Sequence, residues 1–195
     1  DQPRSRGLGD VYKRQEQWCN YTKQTYRNRC HIAGANGLLA LSVPIVKPDT
    51  IKCPTKDIRI SDHGEWRHLH WNAIASAYGS SPFFEYYQDD IRPFFEKRYE
   101  FLLDFNEEIR RTVCNLIGIE PHIEYSSSYS EPAPGETDLR DAIHPKKRKA
   151  ETILPVQPKP YYQVFSEKYG FQPDLSIIDL LMNIGPESIL ILQNA

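Results

Sequence analysis

The sequence predicts a mixed α/β single domain in which a β-hairpin packs with several helices. Three observations lead there. Two apolar runs, 30–33 and 38–46, flank Gly34-Ala35-Asn36-Gly37, and Asn-Gly between such runs signals a hairpin because both residues tolerate positive φ. Three segments between 65 and 117 instead repeat their apolar residues at helical spacing. Finally, 39% apolar and 12% aromatic residues over 195 positions suffice for one ordinary core and set the chain apart from disordered proteins.

In chain order, residues 1–15 read as a non-native tail. They hold glycine and proline breakers and four arginines or lysines, with no apolar period. One reverse translation of 5–15 matches the translated strand of a common transposase sequencing adapter. The domain is therefore expected at 16–195, with Leu8 and Val11 outside its core. After the hairpin, which should end at 44–48, Ile58-Arg59-Ile60 alternates as a short strand. Ser61 or Asp62 then caps a helix at 65–78 with Trp66, Leu69, Ala73 and Ala77 on its inner stripe, and Gly79 with Pro82 stops it. A second helix at 84–101 should bury Ile91, Phe94, Phe95 and Leu102. A third begins near Asn106, aligns Ile109, Val113, Leu116 and Ile117, and ends at Gly118. Residues 131–159 shift to proline and charge and read as a long surface loop. Ser176-Ile177-Ile178-Asp179 resembles a capping box opening a helix through Asn183, which Gly185-Pro186 closes.

A net charge of −2 and a pI near 6.3 give no electrostatic reason to expect nucleic acid or an anionic membrane as partner. The basic run Lys146-Lys147-Arg148-Lys149 reads as a solvated loop against that background. No window approaches 18 uninterrupted apolar residues, so no transmembrane segment is expected. Cys19, Cys30, Cys53 and Cys114 have no metal-ligand spacing and read as small hydrophobes in a reducing, cytoplasmic compartment. No P-loop, GxGxxG, GxSxG or DxD pair occurs, so no metal site is assigned and no cofactor is identified.

Two polar clusters can carry chemistry. The first holds Lys23, Gln24, Tyr26, Arg27, Asn28 and Arg29, whose cations and amides suit a phosphate or carboxylate. The bland alternative is a solvated strand edge, with Lys23, Thr25, Arg27 and Arg29 alternating against Gln24, Tyr26 and Asn28. The second runs from Ser61 to Trp71, with His63, Arg67 and His70 or Trp71 over the first turns of a helix. Here His63 and His70 are the candidate general acid or base, and Trp66, Arg67 and Trp71 the candidate substrate contacts. The alternative is a surface helix whose tryptophans anchor the core and whose histidines decorate it. Arg27 and Arg29 are expected to meet His63, Arg67 and His70 around one anionic group. Lesser candidates are Tyr161-Tyr162-Gln163, read either as a stacking and binding surface for a sugar or as simple packing, and the loop stretch from Asp138 to Pro145.

The segments NYTKQTYRNRC, RISDHGEWRHLHWNAI, SPFFEYYQDD, DLRDAIHPKK and YYQVFSEKYGFQPDLSIIDLLMNIGPESI together resemble the WbqC-like protein family, in the branch common in Bacteroidetes. That family is associated with O-antigen gene clusters. The resemblance implies a transferase acting on a sugar or activated sugar in surface-polysaccharide biosynthesis, or a non-catalytic glycan- or partner-binding protein of the same pathway. It also implies an opening strand, loop and helix ahead of Tyr21, which this sequence lacks. No catalytic residue carries over, so the candidate sites rest on chemistry alone.

Overall fold

The computed structural model describes residues 13–140 and 159–193. Strands β1 (Lys13–Gln15), β2 (Arg29–Gly34) and β3 (Gly37–Ser42) precede helices α1 (Trp66–Tyr78), α2 (Phe84–Ile91), α3 (Pro93–Glu96) and α4 (Leu102–Ile117). Strand β4 (Ile123–Tyr125) and helices α5 (Ser166–Tyr169), α6 (Ile177–Ile184) and α7 (Ser188–Gln193) follow. The mixed α/β class is as expected, with two small sheets: β2 and β3 antiparallel, β1 and β4 parallel.

The hairpin forms where Asn-Gly placed it, pairing Gly34 with Gly37 and Arg29 with Ser42. Gly37 takes φ 101°, which a side chain would resist. Helix α6 is the centre of the molecule, burying Ile178 to Asn183 without interruption. Around it, Ile32 and Leu41 of the hairpin, Ile74 and Tyr78 of α1, Tyr87 and Ile91 of α2, and Val113 and Ile117 of α4 form one apolar cluster. A second cluster joins Val43, Ile58, Ile60, Trp66, Phe94, Leu102 and Phe105. Helix α1 bridges the two, its first residue in one and its last turns in the other, which fixes the direction of its N-terminal turn.

Several expectations are corrected. Leu69 is 60% exposed rather than inward, and Ile74 takes its place on the buried stripe. The helix expected over 84–101 breaks between α2 and α3, where Pro93 cannot donate into the preceding turn, and residues 97–101 are not helical. Helix α4 begins four residues before Asn106, because Leu102 and Phe105 belong to its buried face. Ile58-Arg59-Ile60 is reduced to isolated bridges, Ile60 to Ile45 and Arg59 to Phe101. Residues 23–27 turn rather than extend: Gln24 has φ 59°, and Thr25 is buried with its hydroxyl donated to the Thr22 carbonyl at 2.9 Å. At the front of the chain, β1 pairs with β4 and Arg14 reaches Glu136 at 2.7 Å, so these last three tail residues do not stand apart. Leu8 and Val11, like His144 and the basic run at 146–149, lie outside the described residues.

Gly185 closes α6 at φ 63°, and a Cβ there would sit 2.5 Å from the Phe83 ring. Gly185→Ala is therefore expected to cost about 1–3 kcal/mol from overpacking, on top of the left-handed backbone penalty, read as a lower urea midpoint.

Candidate functional site

The stretch before α1 is shaped by two left-handed residues, Gly64 (φ 80°) and Glu65 (φ 48°). Ser61 accepts the His63 N–H at 3.3 Å, as a capping residue would, but no side chain caps the first turn of α1 itself. Beside that turn opens a cleft of about 510 Å³ lined by Glu65, Arg67, His68, Trp71, Arg92, Phe95 and Glu96.

Arg67 dominates it. Its Nη1 donates to Asp62 at 2.6 Å and its guanidinium lies over the Trp66 ring, 4.7 Å from the centroid. The Nε and Nη2 groups, which form the other donor edge of the fork, are buried and have no acceptor. The hydrogen bond from Arg67, aided by Arg98, holds the Asp62 carboxyl below its usual range, so this anchor stays ionised. Arg92, by contrast, is engaged by Glu96 at 2.6 Å. Trp71 packs on Phe84 with 25° between the rings. His68 meets the Asn72 amide at 2.9 Å.

A second cleft, about 460 Å³, is lined by Trp18, Cys19, Asn20, Thr22, Arg27, Tyr129, Glu131, Asp138 and Arg140. Its cations are occupied. Arg140 grips Asp138 through Nε and Nη2 at 2.9 and 2.7 Å and lies over Tyr129, while Arg27 donates to the Arg140 carbonyl at 3.2 Å.

The expected convergence of the two sequence clusters is thus not what the fold builds. Arg27 and Arg67 line separate clefts that share no residue. Arg29 is tied across the hairpin to Ser42 at 2.8 Å, Asn28 donates to the Val43 carbonyl at 3.0 Å, and Lys23 projects from the turn. Trp66 is 5% exposed, its indole N–H donated to the Ser61 carbonyl, so it supports Arg67 rather than offering a face. His63 is exposed and does not line the first cleft. His70 turns inward, edge-on to Trp66 at 5.2 Å and Phe95 at 6.3 Å.

Burial among those rings pushes the His70 pKa down to about 4 from an ordinary 6.5. A neutral imidazole held there is a poor proton donor near neutrality, against its expected role. The sign of its linkage is definite. The unfolded chain takes up this proton at higher pH than the folded chain, so the stability from keeping His70 neutral is full above pH 6.5 and is lost as pH falls toward 4. Urea midpoints should fall across that window, and His70→Phe should flatten the fall; an unchanged acid limb in the variant would show the ring to be solvated.

Tyr161 and Gln163 belong to a third place. Gln163 is 1% exposed and joins Tyr161 and Tyr78 in donating to the carboxylate of Asp179, at 3.0, 2.8 and 2.9 Å. Burial raises the Asp179 pKa, and raises those of both tyrosines with help from the carboxylate itself. Cys30, nearby in β2, has its thiol pushed up to about 11 by burial, which makes it unreactive. The sequence carried a signal for this cluster: SIIDLLMNI is apolar all round, and a helix of that kind is buried, its acid included. Asp62 and His68 fell within the Ser61–Trp71 cluster without an assigned role in the site, and Arg92 lay outside it. His68 and Asn72, four apart, were the visible hint. No group of three or more metal-ligating side chains occurs among the described residues, and none of their helices is long and apolar enough to cross a membrane.

The fold and its clefts define a small mixed α/β protein with one open, arginine-bearing cleft at a helix start. The chain belongs to the WbqC-like protein family, whose profile matches residues 16–163. It is similar to the uncharacterized protein Rv1507c of Mycobacterium tuberculosis, 26% identical over 190 residues, covering 86% of this chain and 81% of the relative. No solved structure matches it.

Proposed function

We propose that the chain binds an anionic sugar derivative of bacterial surface-polysaccharide biosynthesis in the first cleft. The observation that carries this reading is the empty donor edge of Arg67. Two buried N–H groups without an acceptor cost about 1–3 kcal/mol each, and a phosphate or carboxylate supplies the pair of oxygens that the Nε/Nη2 edge fits once the side chain turns that edge to the cleft. Trp71 lines the same cleft and offers an apolar surface for a sugar ring. The pathway comes from the family association, and the expected cytoplasmic location from the cysteine pattern.

Binding is favoured over catalysis because neither His63 nor His70, the imidazoles expected to transfer a proton, lines the cleft. The transferase reading survives in one residue. His68 is the imidazole that does line the cleft, and its ring is oriented by Asn72.

The test is calorimetric titration with nucleoside-diphosphate sugars, uronic acids and their uncharged counterparts. Saturable binding of anionic sugars alone is expected, weakened about ten- to a hundredfold by Arg67→Ala. Arg67→Lys should also fail to restore it, because an ammonium lacks the fork. Absence of binding by every anionic sugar sinks the reading. If turnover is found, His68→Gln should abolish it and spare binding.

A further inference from the structure

The two walls of the second cleft come from segments far apart in the chain, 18–27 and 129–140. They are stitched at each end. The Trp18 indole N–H and the Gln17 amide both donate to the Ser126 carbonyl, at 3.1 and 3.0 Å, and Arg27 donates to the Arg140 carbonyl at 3.2 Å. Arg27 of the first polar cluster and Asp138 of the long loop therefore line one space of about 460 Å³. It shares no residue with the arginine cleft beside α1.

Its charges cancel. Two guanidiniums, Arg27 and Arg140, stand against two carboxylates, Glu131 and Asp138, and Arg140 already holds Asp138. A charged ligand of either sign gains little in such a field. What the lining leaves unpaired is neutral or accepting. Asn20 and Thr22 are exposed, and neither side chain has a hydrogen-bond partner among the described residues. The Glu131 side chain is 74% exposed and accepts from the Tyr129 hydroxyl at 2.7 Å and distantly from Arg140 at 3.5 Å, so most of its lone pairs are open. Two aromatic rings complete the wall. Arg140 lies over Tyr129, 5.3 Å from its centroid, and with the hydroxyl anchored on Glu131 the ring is fixed in place while 52% exposed. The Lys56 ammonium sits 4.0 Å from the Trp18 ring without lining the cleft, so it backs that ring from outside.

We propose that this cleft binds an uncharged sugar. A pyranose has apolar C–H faces that lie on aromatic rings, and hydroxyls that each donate and accept. That combination matches Tyr129 and Trp18 beside Glu131, Asn20 and Thr22. An apolar ligand would strand the amide, the hydroxyl and the carboxylate, and an ion would find its counter-charges balanced. The fixed ring and the stitched walls leave little ordering to the binding step.

Titration of the full chain with methyl pyranosides of neutral hexoses, 6-deoxyhexoses and N-acetylhexosamines, followed by saturation-transfer NMR, tests this. Saturable binding of at least one is expected, with an affinity that does not change with salt. Glu131→Ala should weaken it about tenfold or more, and Tyr129→Ala about two- to tenfold. Glu131→Gln keeps an acceptor and should lose less. Both side chains are exposed, so melting curves of these variants should match the wild type and exclude misfolding as the cause. A wild-type chain that binds none of the pyranosides overturns the proposal. So does binding that weakens as salt rises, binding that both alanine variants retain, or a preference for uncharged nucleosides over every sugar.

Discussion

Asp179→Ala is expected to remove much of the stability of this domain. The carboxylate accepts from Tyr78, Tyr161 and Gln163, joining α1, the segment leading into α5, and α6 at one point. Asp179 and Tyr78 are 1% exposed, so donors deprived of this acceptor have little water to turn to. Each such orphan costs about 1–3 kcal/mol, against a total of roughly 5–15 kcal/mol for a domain of this size. Asp179→Asn should cost much less. Its amide oxygen still accepts, and a tyrosine hydroxyl can rotate to accept from its NH2. Tyr161→Phe removes a single donor and should be milder still. Urea denaturation with far-ultraviolet circular dichroism ranks the three. An alanine variant as stable as the asparagine variant would mean that the carboxylate is not the joint described here.

The second large effect has opposite signs in two assays. Arg67→Met is expected to weaken anion binding about ten- to a hundredfold, as Arg67→Ala does, and to raise the melting temperature of the ligand-free protein. Arg67 is well covered, with 14% of its side chain exposed, yet it offers two buried donors to nothing. An apolar side chain of similar length can keep the packing against Trp66 without leaving those two buried donors unsatisfied, a cost of about 1–3 kcal/mol each, while Asp62 is exposed enough to be hydrated. Asp62 loses one partner but stays half exposed and keeps Arg98 at 3.5 Å. A variant that is both less stable and unable to bind would show the fork to be structural; one that binds normally would remove it from the site.

The local elements were legible where one short-range rule decided them. Asn36-Gly37 placed the hairpin, Gly118 the end of α4, and Gly185-Pro186 the end of α6. What local periodicity could not reveal was which side of an element the rest of the chain covers. Leu69 and Ile74 sit on different faces of one helix, and the choice between them was made by α3 and α6. The polar site divided in the same way. Arg67 and Trp71 were visible from composition and do line a cleft. Arg27 was sent elsewhere because the residues around it form a turn anchored by buried Thr25 rather than a strand. The Ser176–Asp179 spacing was read as a cap, and Ser176 does accept the Ile178 N–H at 3.4 Å. Asp179 itself turned inward, because two tyrosines and a glutamine distant in sequence offered it more than the helix end did.

The three tryptophans fall one to each environment. Trp66 lies in the core under the Arg67 guanidinium, Trp71 lines the first cleft, and Trp18 lines the second with the Lys56 ammonium 4.0 Å from its ring. Intrinsic fluorescence therefore separates events that a single melting curve would merge. With Trp18 and Trp66 both replaced by phenylalanine, emission from Trp71 becomes a label-free report of occupancy at the arginine cleft. Emission from Trp18 reports on the second cleft, and that from Trp66 on the integrity of the core.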